Sequence, residues 1–141
     1  MNKVILFLLA IVASFSLEAQ INTPAASPAS KLIQTVGLTE VVIDYSRPSM
    51  KGRTIFGDLV PFDKLWRTAA NAYTTISFDT DVTIAGTNVK AGTYSIFTKP
   101  GVKNWDVFFY TDIEGSGVPR DWDENKVVAK ATVPVWPIEM P

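Results

Sequence analysis

The sequence predicts a mainly β protein: an antiparallel β-sandwich or partly open barrel of about seven strands, with one short α-helix near residues 61–70. Seven short runs alternate between apolar and polar or mixed residues with a period of two, which is typical of half-buried strands. The gaps between the runs are rich in Gly, Pro, Asn and Asp, which favour turns. Short strands at this spacing indicate a sandwich or an open barrel.

The first two runs, "LIQTV" (32–36) and "TEVVIDYS" (39–46), flank Gly37 and Leu38 and therefore predict a hairpin. In its second arm, Val41, Ile43 and Tyr45 share one face. The remaining runs are "YTTISF" (73–78), "DVTIAG" (81–86), "TYSIFT" (93–98), "WDVFFY" (105–110) and "VVAKATVPV" (127–135). Turn-forming residues occupy 85–88, 90–92, 99–104 and 114–121.

One segment, "PFDKLWRTAAN" (61–71), has a helical pattern instead. Pro61 suits a first helical turn and Asn71 a left-handed stop. The apolar residues fall at i, i+3, i+4 and i+7, which predicts one stripe facing the sheet: Phe62, Leu65, Trp66 and Ala69. Asp63 and Arg67 would then share the solvent side as a weak ion pair.

The N-terminus is predicted to be a secretory signal peptide over residues 1–19, because Lys3 precedes an unbroken apolar run from Val4 to Ala13 and small residues follow. Residues 20–31, which include "INTPAASPAS", predict an extended lead-in. Residues 32–141 then form a single β domain, and the chain end at Pro141 is compatible with a natural short form or with a C-terminal truncation. The expected location is periplasmic or extracellular, with no stable membrane anchor after cleavage.

Composition excludes several chemistries. The chain has no Cys and no His, so Ser-His-Asp and Cys-His nucleophile systems, His-ligated zinc and thiolate metal sites each lack a required part. The net charge of −1 gives no reason to expect a nucleic-acid partner. Carboxylate, Lys, Tyr, Ser, Thr and Arg chemistry remain.

The connector between the second and third predicted strands carries the candidate ligand-binding residues Arg47, Lys51, Arg53, Arg67 and Asn71. Two or three converging guanidinium groups would clamp a carboxylate, sulfate or phosphate. The competing interpretation is that each arginine binds a loop carbonyl or a nearby acid. For Arg67 that structural interpretation is favoured; for Arg47 and Arg53 the two are balanced, because connectors on a rigid scaffold often hold binding groups.

The aromatic and acidic residues are less specific. Trp66 and Trp105 are predicted to pack in the core, whereas Trp122 and Trp136 are the candidate exposed aromatic surface. The acidic segment "TDIEGSGVPRDWDEN" (111–125) matches no calcium-loop spacing, so no metal site is predicted. No cofactor motif is present.

Three ordered motifs, "YSRPSMKGRTIFG", "LVPFDKLWRTAANAYTTISF" and "AGTYSIFTKPGVKNWDVFFY", resemble the secreted bacterial family called domain of unknown function 2911. The likeness runs from about Ile21 to Val135. It implies an exported, mostly β domain of Bacteroidetes type, with no assigned reaction, cofactor or catalytic residue. Members usually have Gly at the position of Ala69 and an acidic residue at or near Ala72, and they generally continue past "VPVWPIEMP" with further strands.

We therefore predict a non-catalytic ligand- or partner-binding module whose candidate surface is the connector from Arg47 to Asn71. The expected partner is a small anionic ligand, a glycan or an exported protein, and no cofactor is expected. Two alternatives remain open. A carboxylate-dependent hydrolase acting on cell-envelope or polysaccharide substrates would need a carboxylate of raised pKa in an apolar pocket. A structural part of a larger exported protein would show an unpaired sheet edge beside residues 127–135.

Overall fold

A computed structural model describes residues 23–136 and shows eight β-strands. The strands are β1 Ala29–Val36, β2 Thr39–Ser46, β3 Thr74–Phe78, β4 Val82–Ile84, β5 Thr87–Val89, β6 Gly92–Pro100, β7 Asn104–Tyr110 and β8 Val127–Pro134. A 3₁₀ turn at Glu124–Lys126 precedes β8. Within these residues, no helix has the length and apolar character needed to cross a membrane. The predicted signal peptide and the end of the chain after Trp136 lie outside the described residues.

Six strands form one antiparallel sheet in the order β1-β2-β3-β6-β7-β8, and β4 pairs with β5 in a separate hairpin. In the part of the chain that the structure describes, β1 and β8 are therefore the two sheet edges. The predicted class, a mainly antiparallel β domain with sandwich-like packing, is confirmed; the described strands do not close into a barrel.

The two faces of the sheet bury different clusters because side chains alternate along each strand. On one face, the β4-β5 hairpin contributes Val89 to a cluster with Ile76, Phe78, Phe109 and Ala129. The opposite face buries the aromatic residues Phe97, Phe108 and Tyr110, against which Leu65, Tyr73 and Trp122 pack. This aromatic face lies beneath the long connector, residues 47–73, and the loop that links β7 to β8.

The predicted α-helix near residues 61–70 is wrong. Asp63 (φ 58°) and Thr68 (φ 62°) have left-handed backbone conformations that an α-helix does not contain. The segment is instead extended alongside β6: the Trp66 N–H donates to Thr98 O at 2.7 Å, and the Thr98 N–H donates to Trp66 O at 2.9 Å. Asp63 N–H donates to Pro100 O at 2.8 Å.

The physical reason is the unequal length of neighbouring strands. β6 has nine residues, but β3 has five and pairs only with Gly92 to Ile96. The backbone groups of Thr98 and Pro100 therefore lack a partner from β3, and buried backbone groups need one. The connector supplies it, and this pairing replaces the helix.

The predicted apolar stripe consequently does not exist as one face. Leu65, Trp66 and Ala69 line one cleft, whereas Phe62 lines a separate groove beside Trp105. The expected Asp63–Arg67 ion pair is also wrong, since it is not among the ion pairs of residues 23–136.

Two boundaries differ from the predictions. β1 begins at Ala29, inside the expected lead-in, because Ala29 and Ser30 pair with Ser46 and Tyr45. β5 lies partly within the predicted 85–88 turn, where only Ala85 and Gly86 reverse the chain with positive φ.

Candidate functional site

A cleft of about 740 Å³ lies over the aromatic face of the sheet. Most of its lining comes from the connector, from Pro48 to Ala70. Gly117 and Val118, from the β7-β8 loop, and Ser27, from the lead-in, complete it. We call this feature the connector cleft; its size falls within the range of small-molecule sites, roughly 300 to 1,000 Å³.

Two of the five predicted site residues, Arg53 and Arg67, line the connector cleft. Lys64 lines it as well and was not predicted as a site residue. The predicted helix over 61–70 gives no reason to expect Lys64 and Arg53 in one cleft. They share it because the connector is extended. No Asp or Glu is among the residues that line the cleft.

Both guanidinium groups bind loop carbonyls, which is the contact that the competing structural interpretation predicts. Arg53 donates from Nε to Met50 O at 2.9 Å and from Nη2 to Ser49 O at 2.8 Å. Arg67 donates from Nε to Ala69 O at 3.3 Å. A guanidinium has five N–H groups, so each arginine is oriented by the fold and keeps terminal N–H groups for another acceptor.

None of the described ion pairs uses an arginine. The four pairs are Lys31–Asp44, Lys90–Asp81, Lys126–Asp112 and Lys130–Asp106. Within residues 23–136, the positive charges of Arg53 and Arg67 are therefore not neutralised by a carboxylate contact. A cleft with this lining favours an anion electrostatically.

Beside Arg67, Thr68 holds a left-handed conformation (φ 62°), which is unusual for a β-branched residue. Hydrogen bonds hold it there: its one hydroxyl hydrogen lies between two acceptors, Trp66 O at 3.3 Å and Thr98 Oγ1 at 3.0 Å, and its carbonyl accepts from Thr74 Oγ1 at 3.1 Å. Such over-determined backbone conformations are concentrated at functional sites. The turn that presents Arg67 is thus tightly fixed to the sheet.

The other three predicted residues lie outside the cleft lining. Asn71 is left-handed (φ 60°), and its Nδ2 donates to Ser27 O at 3.0 Å and Ser46 Oγ at 3.2 Å, so it ties the lead-in to the end of β2. Arg47 is anchored by its backbone N–H, which donates to Pro28 O. Lys51 occupies an exposed turn with φ 51°.

The four tryptophans lie in different environments, and not all of them are where the sequence predicts. Trp122 is packed rather than exposed: it stacks on Tyr110 with a centroid distance of 4.4 Å, and its Nε1 donates to Glu124 Oε1 at 2.8 Å. The prediction that Trp122 is exposed is wrong, because Trp122 packs against aromatic residues of β6 and β7, and its own sequence neighbours do not indicate this contact. Trp136 is 79% exposed. Trp66 and Trp105 are half-buried rather than fully in the core, and Phe56 contacts both edge to face, at 5.9 and 4.7 Å.

Three acidic residues of the 111–125 segment, Asp112, Asp123 and Glu124, have structural contacts. Asp112 pairs with Lys126, and Asp123 caps the 3₁₀ turn by accepting from the Asn125 N–H. Elsewhere, a hydrogen bond from Lys90 lowers the pKa of Asp81, and hydrogen bonds from Thr132 and Lys130 lower the pKa of Asp106. Lowered values are the opposite of what the hydrolase alternative needs. Within residues 23–136, no group of three or more potential ligand side chains is placed to hold a metal ion.

The fold and the cleft define a mostly antiparallel β domain with a cationic, partly apolar cleft over one face of its sheet. The chain belongs to the family described as "Protein of unknown function (DUF2911)", whose match spans residues 27–141. No curated protein and no solved structure matches the chain.

Proposed function

We propose that this domain is a non-catalytic binding module whose connector cleft takes a small molecule with an anionic group on an apolar body. One observation carries the proposal: three cationic side chains, and no acidic one, line a concave site whose other walls are mostly apolar. The cations are Arg53, Lys64 and Arg67.

The proposed binding mode assigns a role to each part of the lining. The terminal N–H groups of Arg53 and Arg67 donate to the anion, because hydrogen bonds between charged groups are stronger than neutral ones. The Lys64 ammonium adds positive charge. Leu65, Trp66 and Val118 contact the apolar body, whose transfer from water favours binding.

The backbone contacts of the arginines support this mode. Carbonyl acceptors orient both side chains before a ligand arrives, so less rotamer entropy is lost on binding. We extend the proposal to an exported protein, in the periplasm or outside the cell, on the strength of the apolar run from Val4 to Ala13.

The test uses a matched pair of fluorescent probes. 8-Anilinonaphthalene-1-sulfonate carries a sulfonate on an aromatic body, and N-phenyl-1-naphthylamine has the same rings without the charge. We expect the sulfonate to bind more tightly than the neutral probe and to weaken as salt is added.

Single substitutions then locate the charge contact. Arg67→Ala removes charge-assisted hydrogen bonds worth about 1.5 to 3 kcal/mol, so we expect sulfonate affinity to fall by about ten- to a hundredfold. Affinity for the neutral probe should change little. Arg120→Ala is the matched control, because Arg120 is exposed and lies outside the cleft lining. Equal effects of the two substitutions, or equal loss of both probes, would contradict the proposal.

A further inference from the structure

The two edges of the main sheet differ in how they are protected. At β8, the Val135 N–H donates to Lys103 O, so the ring nitrogen of the preceding Pro134 faces the outer edge, where proline offers no N–H. β8 carries the exposed Lys130 and β1 carries the exposed Lys31, and each pairs with an Asp of the neighbouring strand, so charge does not distinguish the two edges. The proline at the outer side of β8 is typical of an edge that avoids further strands.

The edge formed by β1 has no comparable protection. Its sequence, "ASKLIQTV", has no Pro, no Gly and no break in its register with β2. Lys31 is its one charged residue, and the Lys31 ammonium lies 3.3 Å from Asp44 on the neighbouring strand. Among the described residues, no strand pairs with the outer side of β1.

This edge also exposes apolar side chains. Leu32 and Ile33, on opposite faces, are 50% and 58% exposed, and Val36 is exposed too. A long, regular edge with exposed apolar residues is a template for pairing with another chain. The two-residue turn after Val36 makes Val36 and Thr39 a hydrogen-bonded pair. The N–H and C=O groups of Lys31, Ile33 and Thr35 therefore point outward.

We propose that β1 pairs antiparallel with β1 of a second copy of this chain, joining two sheets across a two-fold axis at Gln34. In this register Leu32 faces Val36 of the other copy on one side of the sheet. Ile33 faces Thr35 of the other copy on the opposite side, and both are β-branched residues that suit strands. Every outward-pointing backbone group between Ile33 and Thr35 gains a partner.

The charges near β1 are compatible with a second copy as the occupant. The register separates the two Lys31 side chains to opposite ends of the interface, so no like charges meet. Each Lys31 lies on the same face as Glu40 of the other copy, because Lys31 and Thr35 share a face and Glu40 pairs with Thr35. The strand is thus complementary to itself in apolar pattern, and the register brings no like charges together.

Sedimentation equilibrium on the protein purified from an exporting host, with its N-terminus determined by mass spectrometry, tests the self-association. We expect a concentration-dependent dimer. Ile33→Lys places two charges near the axis and should weaken dimerisation by at least about tenfold. Val133→Lys, the same kind of change on the other edge strand, should leave it unchanged. A monomer at all concentrations, or equal effects of the two substitutions, overturns the proposal.

A cross-link tests the register. The chain has no cysteine, so Gln34→Cys introduces one thiol per copy. At the axis, Gln34 forms a non-hydrogen-bonded pair with a Cα separation of about 4.5 Å, which a disulfide can span. Under mild oxidation we expect a covalent dimer from Gln34→Cys and none from Thr87→Cys, an exposed control on β5. A Gln34→Cys dimer whose introduced thiols do not cross-link overturns the proposed pairing.

Discussion

At the scale of single residues, the lysine and arginine side chains make different kinds of contact. Four lysines pair with carboxylates, whereas Arg53 and Arg67 donate to backbone carbonyls. A flexible ammonium is a compact point charge, and a planar guanidinium orients several donors at once. These four lysines therefore neutralise four carboxylates, and Arg53 and Arg67 line the connector cleft.

Asp106 shows how such a pair serves the fold. Its carboxylate accepts from Thr132 Oγ1 at 2.6 Å and contacts Lys130 Nζ at 2.9 Å, so it fastens the edge strand β8 to β7. Both contacts lower its pKa from the ordinary value of 3.8. The ionised carboxylate therefore stabilises the fold above that value, and the stabilisation is lost as pH falls through the lower folded-state pKa.

We expect Asp106→Asn to lower the free energy of unfolding by about 0.5 to 1 kcal/mol near neutral pH, as for a surface ion pair. The difference from the unsubstituted protein should shrink as pH falls below 3.8. Urea unfolding at neutral and acidic pH measures it, with the exposed Asp121→Asn as control. A difference that stays the same at both pH values would show that the charge of Asp106 is not the cause.

At the scale of elements, the unequal lengths of β3 and β6 determine the path of the connector. Because β3 ends its pairing at Ile96 of β6, the backbone of Trp66 takes the next place beside Thr98. This pairing brings Leu65 onto the aromatic face and sets Arg67 beside the cleft. The position of the cleft therefore depends on β6 being longer than its neighbour β3.

The sequence predicts most strands because their alternation is local. β5 was missed because "TNV" is only three residues long and follows a turn. The segment 61–70 has the apolar spacing of a helix. Its backbone instead forms hydrogen bonds with backbone groups of β6 that β3 leaves without a partner, more than 30 positions further along the chain. The apolar pattern of residues 61–70 contains no information about the hydrogen-bond partners that the backbone of β6 needs.

Amide hydrogen exchange distinguishes the two structures of this segment. In the extended structure, the Trp66 N–H has a backbone acceptor, whereas no backbone acceptor is found for Leu65 or Arg67 within residues 23–136. We expect the Trp66 amide to exchange at least about a hundredfold more slowly than its two neighbours. Similar protection at all three positions would indicate a helix and contradict the described connector.

At the scale of the whole molecule, one sheet supports two unlike layers. The β4-β5 hairpin covers one face with aliphatic contacts, while the connector and the β7-β8 loop cover the aromatic face and form the cleft between them. The β7-β8 loop packs directly against Tyr73, since a Cβ at Gly115 would lie only 2.5 Å from the Tyr73 ring. The cleft is thus a product of tertiary packing.

That origin explains how much of the site could be predicted. The richness of the connector in Arg was visible in the sequence, and Arg53 and Arg67 do line one cleft. Lys64, Val118 and the packing of Trp122 were not predictable, because they depend on how the connector and a loop about 50 residues later meet over β6 and β7.

The most direct measurement of the central claim is a two-dimensional NMR titration of the ¹⁵N-labelled protein with 8-anilinonaphthalene-1-sulfonate. We expect the amides and Arg Nε–H signals of the cleft to shift together, at Arg53, Leu65, Arg67, Gly117 and Val118, while β1 and β5 stay unchanged. Shifts confined to the groove of Phe62 and Trp105 or to β1, with Arg53 and Arg67 unaffected, would contradict the proposal that the connector cleft binds an amphipathic anion.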